Sequence, residues 1–296
     1  MGERTGSWAP WHVLPRPQRL RIGACVVWIV AVTVAFGQPL TRLMLHAAQS
    51  ELYSYIPLVP LVAGYLLFIR RGSLEPASSS SIVGTVILSG IAVAALAAGT
   101  AWRGILSVND GLALMALAYV SVVAAGGFLF LGSKWMAAAA FPVAFLIFMV
   151  PLPDAVVNLL ETASVMGSAD VSAFLFRITG TPLVRDGAVL MLPGIVLEVA
   201  QECSGIRSSW VLFITSLLAS HLFLDSPWRR IVLVAFVIPL AIVRNGFRIL
   251  VIGLLCVHVG PHMIDSIIHR RGGPLFFVLS LGPLFLLLAW LRRQER

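Results

Sequence analysis

Cys203 stands in the run ECSGIRSSW, Glu202 to Trp210, where a polar, irregular stretch passes into a long apolar one. This spacing predicts a thiol in the first turn of an apolar helix, at the water boundary. Unpaired backbone N–H groups and the positive end of the helix macrodipole stabilise a thiolate there, the form that acts as a nucleophile. Arg207 follows four residues later, and helical spacing brings its guanidinium toward the sulfur, which lowers the thiol pKa further. The plainer reading is a small buried packing residue. The polar neighbours Glu202, Ser204, Gly205 and Arg207 weigh against it.

Two further groups of residues could serve such a nucleophile. The apolar run after residue 231 contains RNGFRI, with Arg244 and Arg248 one helical turn apart and Asn245 beside them. Arginine within a span costs at least about 2.5 to 3.5 kcal/mol on insertion scales, so it usually faces a polar cavity and marks function. About 20 residues from Ile231, Arg248 reaches the outer boundary of the hydrocarbon, the depth expected for Cys203. Snorkelling to the headgroups is the alternative account of Arg248. Arg244 lies a turn deeper, where it would pair with a carboxylate from another span or support the site. Downstream, His258, His262, Asp265 and His269 recur at spacings of four, three and four, along one face of a short helix opened by Pro261 and ended by Gly272 and Gly273. Asp265 would orient the His269 imidazole as a carboxylate orients a catalytic base. The same four residues could ligate a metal, but the HExxH signature is missing and no metal is expected. His12, His46 and His221 lack comparable company, and Cys25 and Cys256 lie in apolar runs as packing residues.

Membrane-spanning helices must position these groups. Of 296 residues, 59% are hydrophobic and 11% charged, and the mean hydropathy is +0.95, values outside the range of water-soluble globular domains. The chain reads as an all-α polytopic membrane protein with about eight spans of roughly the length a bilayer requires. Their expected limits are Ile22 to Gly37, Leu52 to Ile69, Ile82 to Thr100, Gly111 to Leu131, Trp135 to Val150, Ser204 to Leu224, Ile231 to Val257 and Leu275 to Leu291. No repeat or long linker divides them, so one integral domain, 1–296, is expected, with cytoplasmic tails at 1–21 and 292–296. The net charge of +8 is scattered over short loops, which disfavours nucleic acid as a partner. Three cysteines without a CxxC pair disfavour a disulfide framework or a dithiol redox site.

The basic residues also set an orientation. Arg4, Arg16, Arg19 and Arg21 precede the first span without a clear cleavage site, which reads as a retained helix entering from the cytoplasm. Arg70, Arg71, Lys134, Arg229, Arg230, Arg292, Arg293 and Arg296 then fall inside, against Arg42, Arg103, Arg177, Arg185, Arg270 and Arg271 outside. Both termini are thus expected in the cytoplasm of a cell with this chain in its inner membrane. Residues 151–202 form an extracytoplasmic insertion on this reading. Asp154, Asn158, Glu161, Ser168 and Ser172 make a polar stripe that suits an amphipathic helix lying at the interface. Pro182 to Val184, Ala188 to Leu192 and Ile195 to Val199, with turns at Asp186, Gly187 and at Pro193, Gly194, predict a hairpin or small meander leading to Cys203.

Cys203 in ECSGIRS, Arg248 in RNGFRI and His269 before the last span, in this order, resemble the exosortase/archaeosortase family. YIPLVPLVAGYLLFIRR from Tyr55 and VPLPDAVVNLL from Val150 extend the likeness over most of the chain. Arg270 and Arg271 after His269 depart from many relatives. The resemblance implies a membrane cysteine protease or transpeptidase with Cys203, Arg248 and His269 as its site and no cofactor. Its substrates would be exported proteins whose C-terminal sorting signal joins a short PEP-CTERM-like motif, a transmembrane helix and a basic tail, often encoded with exopolysaccharide genes. That helix would dock among this protein's spans, within membrane lipids. Glu202, Arg207, Arg244, Asn245 and Asp265 would support the site. Two rival readings stand beside this one: a transporter or channel whose Arg and His residues line a solute or proton path, and a membrane scaffold for polysaccharide export.

Overall fold

The computed structural model describes residues 15–70, 80–199, 205–265 and 273–295. The chain divides into two compact units, Met1–Asp154 and Ala155–Arg296. Among the described residues seven helices are long and apolar enough to cross a membrane, as expected of an all-α polytopic membrane protein.

The first unit contains α1 (Arg16–Ala35), α2 (Gly37–Gln49), a 3₁₀ turn (Ile56–Leu58), α3 (Val59–Arg70), α4 (Ile82–Ala101), α5 (Val108–Phe130), α6 (Ser133–Ala138), α7 (Ala140–Phe145) and a 3₁₀ turn (Leu146–Met149). Small residues let its long helices approach: Ala92 and Ala95 of α4 meet Ala118 of α5. The Trp28 ring of α1 lies over Gly126 of α5 and donates its indole N–H to the Val122 carbonyl at 3.1 Å. Two of the expected spans are shorter than foreseen. Proline sets the break in the stretch after Trp135, because the Pro142 ring excludes a helical hydrogen bond to the Ala138 carbonyl, where α6 ends. The other, the stretch from Leu52, forms turns before Ile56 and only then α3.

A polar knot closes this unit. The Tyr53 hydroxyl and the Asn109 amide both donate to the Leu152 carbonyl, at 3.0 and 2.8 Å. Asn109 also donates to the Asp154 carboxylate at 2.7 Å, and Asp110 accepts the Asp154 backbone N–H at 2.9 Å. Burial pushes the Tyr53 phenol up to about 12. The VPLPD stretch is thereby tied to the start of α5 by the buried Tyr53 and Asn109 side chains and by Asp110.

The second unit contains α8 (Asp154–Ile178, all but its first residue), β1 (Val184–Asp186), β2 (Val189–Leu192), β3 (Ile195–Glu198), α9 (Ile206–Phe223), α10 (Pro227–Ala235), α11 (Val237–His258), a 3₁₀ turn (Pro261–Asp265) and α12 (Gly273–Arg293). The three strands form an antiparallel meander with Asp186 opposite Val189 and Leu192 opposite Ile195. The first strand lies two residues later than expected, so that Asp186 ends it instead of opening the turn, and the second and third are each one residue shorter. Gly187 opens the first turn with φ 57°, the sign a tight hairpin needs and a Cβ resists. Alternate residues Leu190, Leu192 and Leu197 point to one buried cluster with Val165, Ala169 and Phe176 of α8 and Ile249 and Leu250 of α11. A second cluster joins Leu212 and Ala219 of α9, Leu233 of α10 and Leu284, Leu288 and Leu291 of α12. Pro239 separates α10 from α11 as Pro142 separates α6 from α7, since its ring opposes the Ala235 carbonyl.

The main difference from the sequence expectation is α8. At 25 residues it extends about 37 Å at 1.5 Å per residue, long enough to cross a bilayer instead of lying on it. Ser168 and Ser172 of its polar stripe are fully buried, while Leu159, Phe174 and Ile178 are exposed. The C-terminal half of the stripe thus faces protein while apolar side chains face outward, and in the N-terminal half Asn158 stays exposed.

Close packing of α8 on α11 needs glycine. A Cβ on Gly246 would come within 2.6 Å of the Val171 side chain and 3.3 Å of the Ser168 carbonyl, and one on Gly253 within 2.4 Å of the Phe176 ring. Gly246→Ala is therefore expected to destabilise the protein by about 1–3 kcal/mol through overpacking. Gly90→Ala in α4, where the methyl meets nothing within 4 Å, should be neutral or stabilising by up to about 1 kcal/mol. Unfolding in mixed micelles compares the two. At the other end of the unit the Glu295 carboxylate caps α10, accepting the Asp225 and Ser226 N–H groups at 3.0 and 2.9 Å beside Arg229. Those amides hold its pKa below the ordinary 4.5. The carboxylate is then favoured by folding, so this contribution is complete above pH 4.5 and disappears as pH falls through the lower folded value. The protection factor of the Ser226 amide, which removes the intrinsic pH dependence of exchange, should fall over that window in the wild type and stay flat in Glu295→Gln.

Candidate functional site

A buried polar seam runs between α8, α11 and the start of α9. Asn245, 2% exposed, donates its side-chain amide to the Ser168 hydroxyl at 3.0 Å. Ser172 returns its hydroxyl to the Ser168 carbonyl at 2.5 Å and reaches the Gly246 carbonyl at 3.3 Å. One residue before Asn245, the buried Arg244 extends Nη2 to the Gly205 carbonyl at 3.2 Å and to the Ser209 hydroxyl at 3.1 Å. Its Nη1 has no hydrogen-bond partner among the described residues. A guanidinium inside a span thus spends one nitrogen on the entrance to α9 and keeps another available.

Gly205 fits the role of an entrance. Its φ is 70°, and a Cβ there would sit 3.1 Å from Arg244 Nη2 and 3.4 Å from Asn245 Oδ1. Its carbonyl also accepts the Ser209 N–H at 3.0 Å and the Ser208 and Ser209 hydroxyls at 3.0 and 2.8 Å. The acceptor is crowded because it begins the helical ladder of α9 while Arg244 holds it from the side.

The expected site residues fare as follows. Arg244, Asn245 and Arg248 lie on α11, with Arg248 half-buried one turn beyond Arg244. Arg207 lies exposed in the first turn of α9. That helix starts at Ile206, and the left-handed Gly205 before it interrupts the helical register expected to align Arg207 with residue 203. Glu202, Cys203 and His269 lie outside the described residues, and only the backbone of Asp265 is described. The short helix expected to carry His258, His262, Asp265 and His269 on one face is not continuous: α11 ends at His258, Gly260 turns with φ 142°, and a separate 3₁₀ turn holds His262 and Asp265. Gly at 260 explains the break, since a positive φ cannot continue a right-handed helix.

Sequence reasoning missed the partners of the two α11 residues. Ser168 and Ser172 were read as a wet stripe, and Ser209 was not singled out. The usable signal was a run of hydroxyl residues at helical spacing inside segments otherwise fit for lipid, where each hydroxyl needs a partner in the protein.

The model of the transmembrane exosortase family matches residues 46–286, which covers most of the chain, and the chain belongs to that family. It is thereby a multi-pass membrane protein of a family of sorting enzymes. No curated protein and no solved structure is significantly similar to it.

The seam is expected to behave as a coupled pair of helices. Asn245→Ala strands the Ser168 hydroxyl, so it should cost about 1–3 kcal/mol. A double-mutant cycle with Ser168→Ala should return a coupling near 0.6 kcal/mol and no more than about 1.7, the range of interhelical hydrogen bonds in membranes.

Proposed function

We propose that the chain is a cysteine peptidase or transpeptidase of the cytoplasmic membrane, acting as one integral domain. It cleaves the PEP-CTERM-like C-terminal sorting signal of exported proteins on the extracytoplasmic face. The Cys203 sulfur adds to a peptide carbonyl near the membrane surface. Arg248 stabilises the oxyanion, and His269 donates a proton to the amine as the C–N bond breaks. The product of this half is a thioacyl enzyme and a released C-terminal helix with its basic tail. Water or another amine, deprotonated by His269, then adds to the thioester and expels the thiolate. No cofactor takes part.

The observation that carries this reading is the hold of Arg244 on Gly205. Cys203 precedes Gly205 by two residues, a length of chain that reaches no more than about 7 Å. On this reading the thiol works beside a buried guanidinium, with Arg248 one turn along the same helix. Positive charge of this kind favours thiolate over thiol and anion over neutral carbonyl. Glu202, Arg207, Asn245 and Asp265 remain supporting residues.

The test co-expresses this chain with a tailed substrate and follows substrate size. Cys203→Ala should abolish processing. Arg248→Ala and His269→Ala should each slow it by about 10² to 10⁴, as oxyanion donors and acid–base groups do. Arg244→Gln should retain slow turnover, and Arg244→Lys should recover part of it. Processing at the wild-type rate in Cys203→Ala would sink the peptidase reading, and tolerance of Cys203→Ser together with solute flux would favour transport.

A further inference from the structure

At the end of the first unit where α1 and α4 finish and α5 begins, a cavity of about 650 Å³ lies between α2 and the α4–α5 turn. Arg42 and His46 line it from successive turns of α2, Arg103 and Ser107 from the turn between α4 and α5, and Met115 from α5. Among the described residues neither Arg42 nor Arg103 has an ion pair or a side-chain hydrogen bond. The His46 ring lies against Tyr53 at 5.5 Å, and its buried Nε2 has no partner among the described residues. The nearest acidic group in α5, Asp110, is engaged by the Asp154 backbone N–H. Three nitrogen-bearing side chains therefore converge on one space, and neither arginine has a carboxylate partner among the described residues.

The rim is apolar. Trp102 is 55% exposed, Ile105 85%, Val108 76% and Leu45 58%. Trp102 follows directly on the apolar helix α4, at the level where tryptophan anchors a span in the headgroup region. The basic bias of the sequence also assigns this end to the side that otherwise has few basic residues. Two uncompensated arginines there call for a counter-ion that the membrane itself supplies.

We propose that this cavity binds the phosphate of an anionic membrane lipid, with its acyl chains lying along Leu45, Ile105 and Val108. Guanidinium groups match phosphate oxygens in paired, charge-assisted hydrogen bonds, and a headgroup fits a space of this size. A zwitterionic headgroup offers the same phosphate but carries its own cation beside it, so two arginines favour a lipid of net negative charge. The site is separate from the α8–α11 seam and does not rest on the peptidase reading.

The test uses the full chain in neutral detergent, reading tryptophan fluorescence as tail-brominated phosphatidylglycerol or phosphatidylcholine is added. Phosphatidylglycerol should quench a saturable component that is lost in Trp102→Phe, and half-saturation should need at least about tenfold less of it than of phosphatidylcholine. Arg42→Gln with Arg103→Gln should weaken that binding at least about tenfold, whereas Lys134→Gln, a charge loss outside the cavity, should not. Should the double variant unfold, Arg103→Gln alone on its exposed turn gives the comparison. Equal quenching by the two lipids, unchanged binding in the arginine variants, or full displacement by millimolar inorganic phosphate would each overturn the proposal, the last by showing a site for free anions.

Discussion

Polar groups inside a bilayer have no water to satisfy them, so each must find a partner within the protein or remain at a cost of several kcal/mol. The seam between α8, α11 and α9 is the local answer to that constraint. Asn245 meets Ser168, Ser172 meets two backbone carbonyls, and Arg244 meets Gly205 and Ser209. Because the partners sit on three different helices, the same bonds that satisfy the polar atoms also fix the rotation of each helix about its axis. Apolar clusters above and around the seam add packing but little angular specificity, as leucine against leucine can slide where an amide to a hydroxyl cannot.

Glycine and proline supply what the hydrogen bonds need. Gly246 and Gly253, two turns apart on α11, let the α8 backbone approach to where a hydroxyl of Ser172 reaches the Gly246 carbonyl. Pro142 and Pro239 break helices at carbonyls they cannot leave bonded. The result is that α11 begins at Val237 as a helix of its own, free to take the tilt that α8 and α9 require. In the first unit the knot around residues 152–154 does the same work through the backbone, with Tyr53 and Asn109 donating to the Leu152 carbonyl and Asp110 accepting the Asp154 N–H.

Membership in the exosortase family gives these features a purpose. A peptidase working at a membrane surface must expose a nucleophile to water while anchoring it in helices surrounded by lipid. On the proposed peptidase reading Arg244 would couple these demands, since it is buried in α11 and donates to the Gly205 carbonyl at the entrance of α9, two residues after Cys203 in sequence. A buried guanidinium that keeps an uncommitted nitrogen stores positive potential where an anionic sulfur or oxyanion would need it.

Composition alone settled that the chain lives in a membrane, because hydropathy this high admits no soluble fold of such length. Alternation and turn residues located the meander to within two residues, since strand period and glycine turns are local properties. The family was legible in the ordered motifs around Cys203, Arg248 and His269. Other features depended on tertiary contacts. The stripe holding Ser168 and Ser172 told of an amphipathic helix but not of which side is wet, and only packing against α11 turned that polar face inward. Likewise Arg244 was visible as a costly charge, while its acceptor lay 39 residues away in sequence. Periodicity reports the faces of a helix, and what each face touches is decided by neighbours that no local pattern encodes.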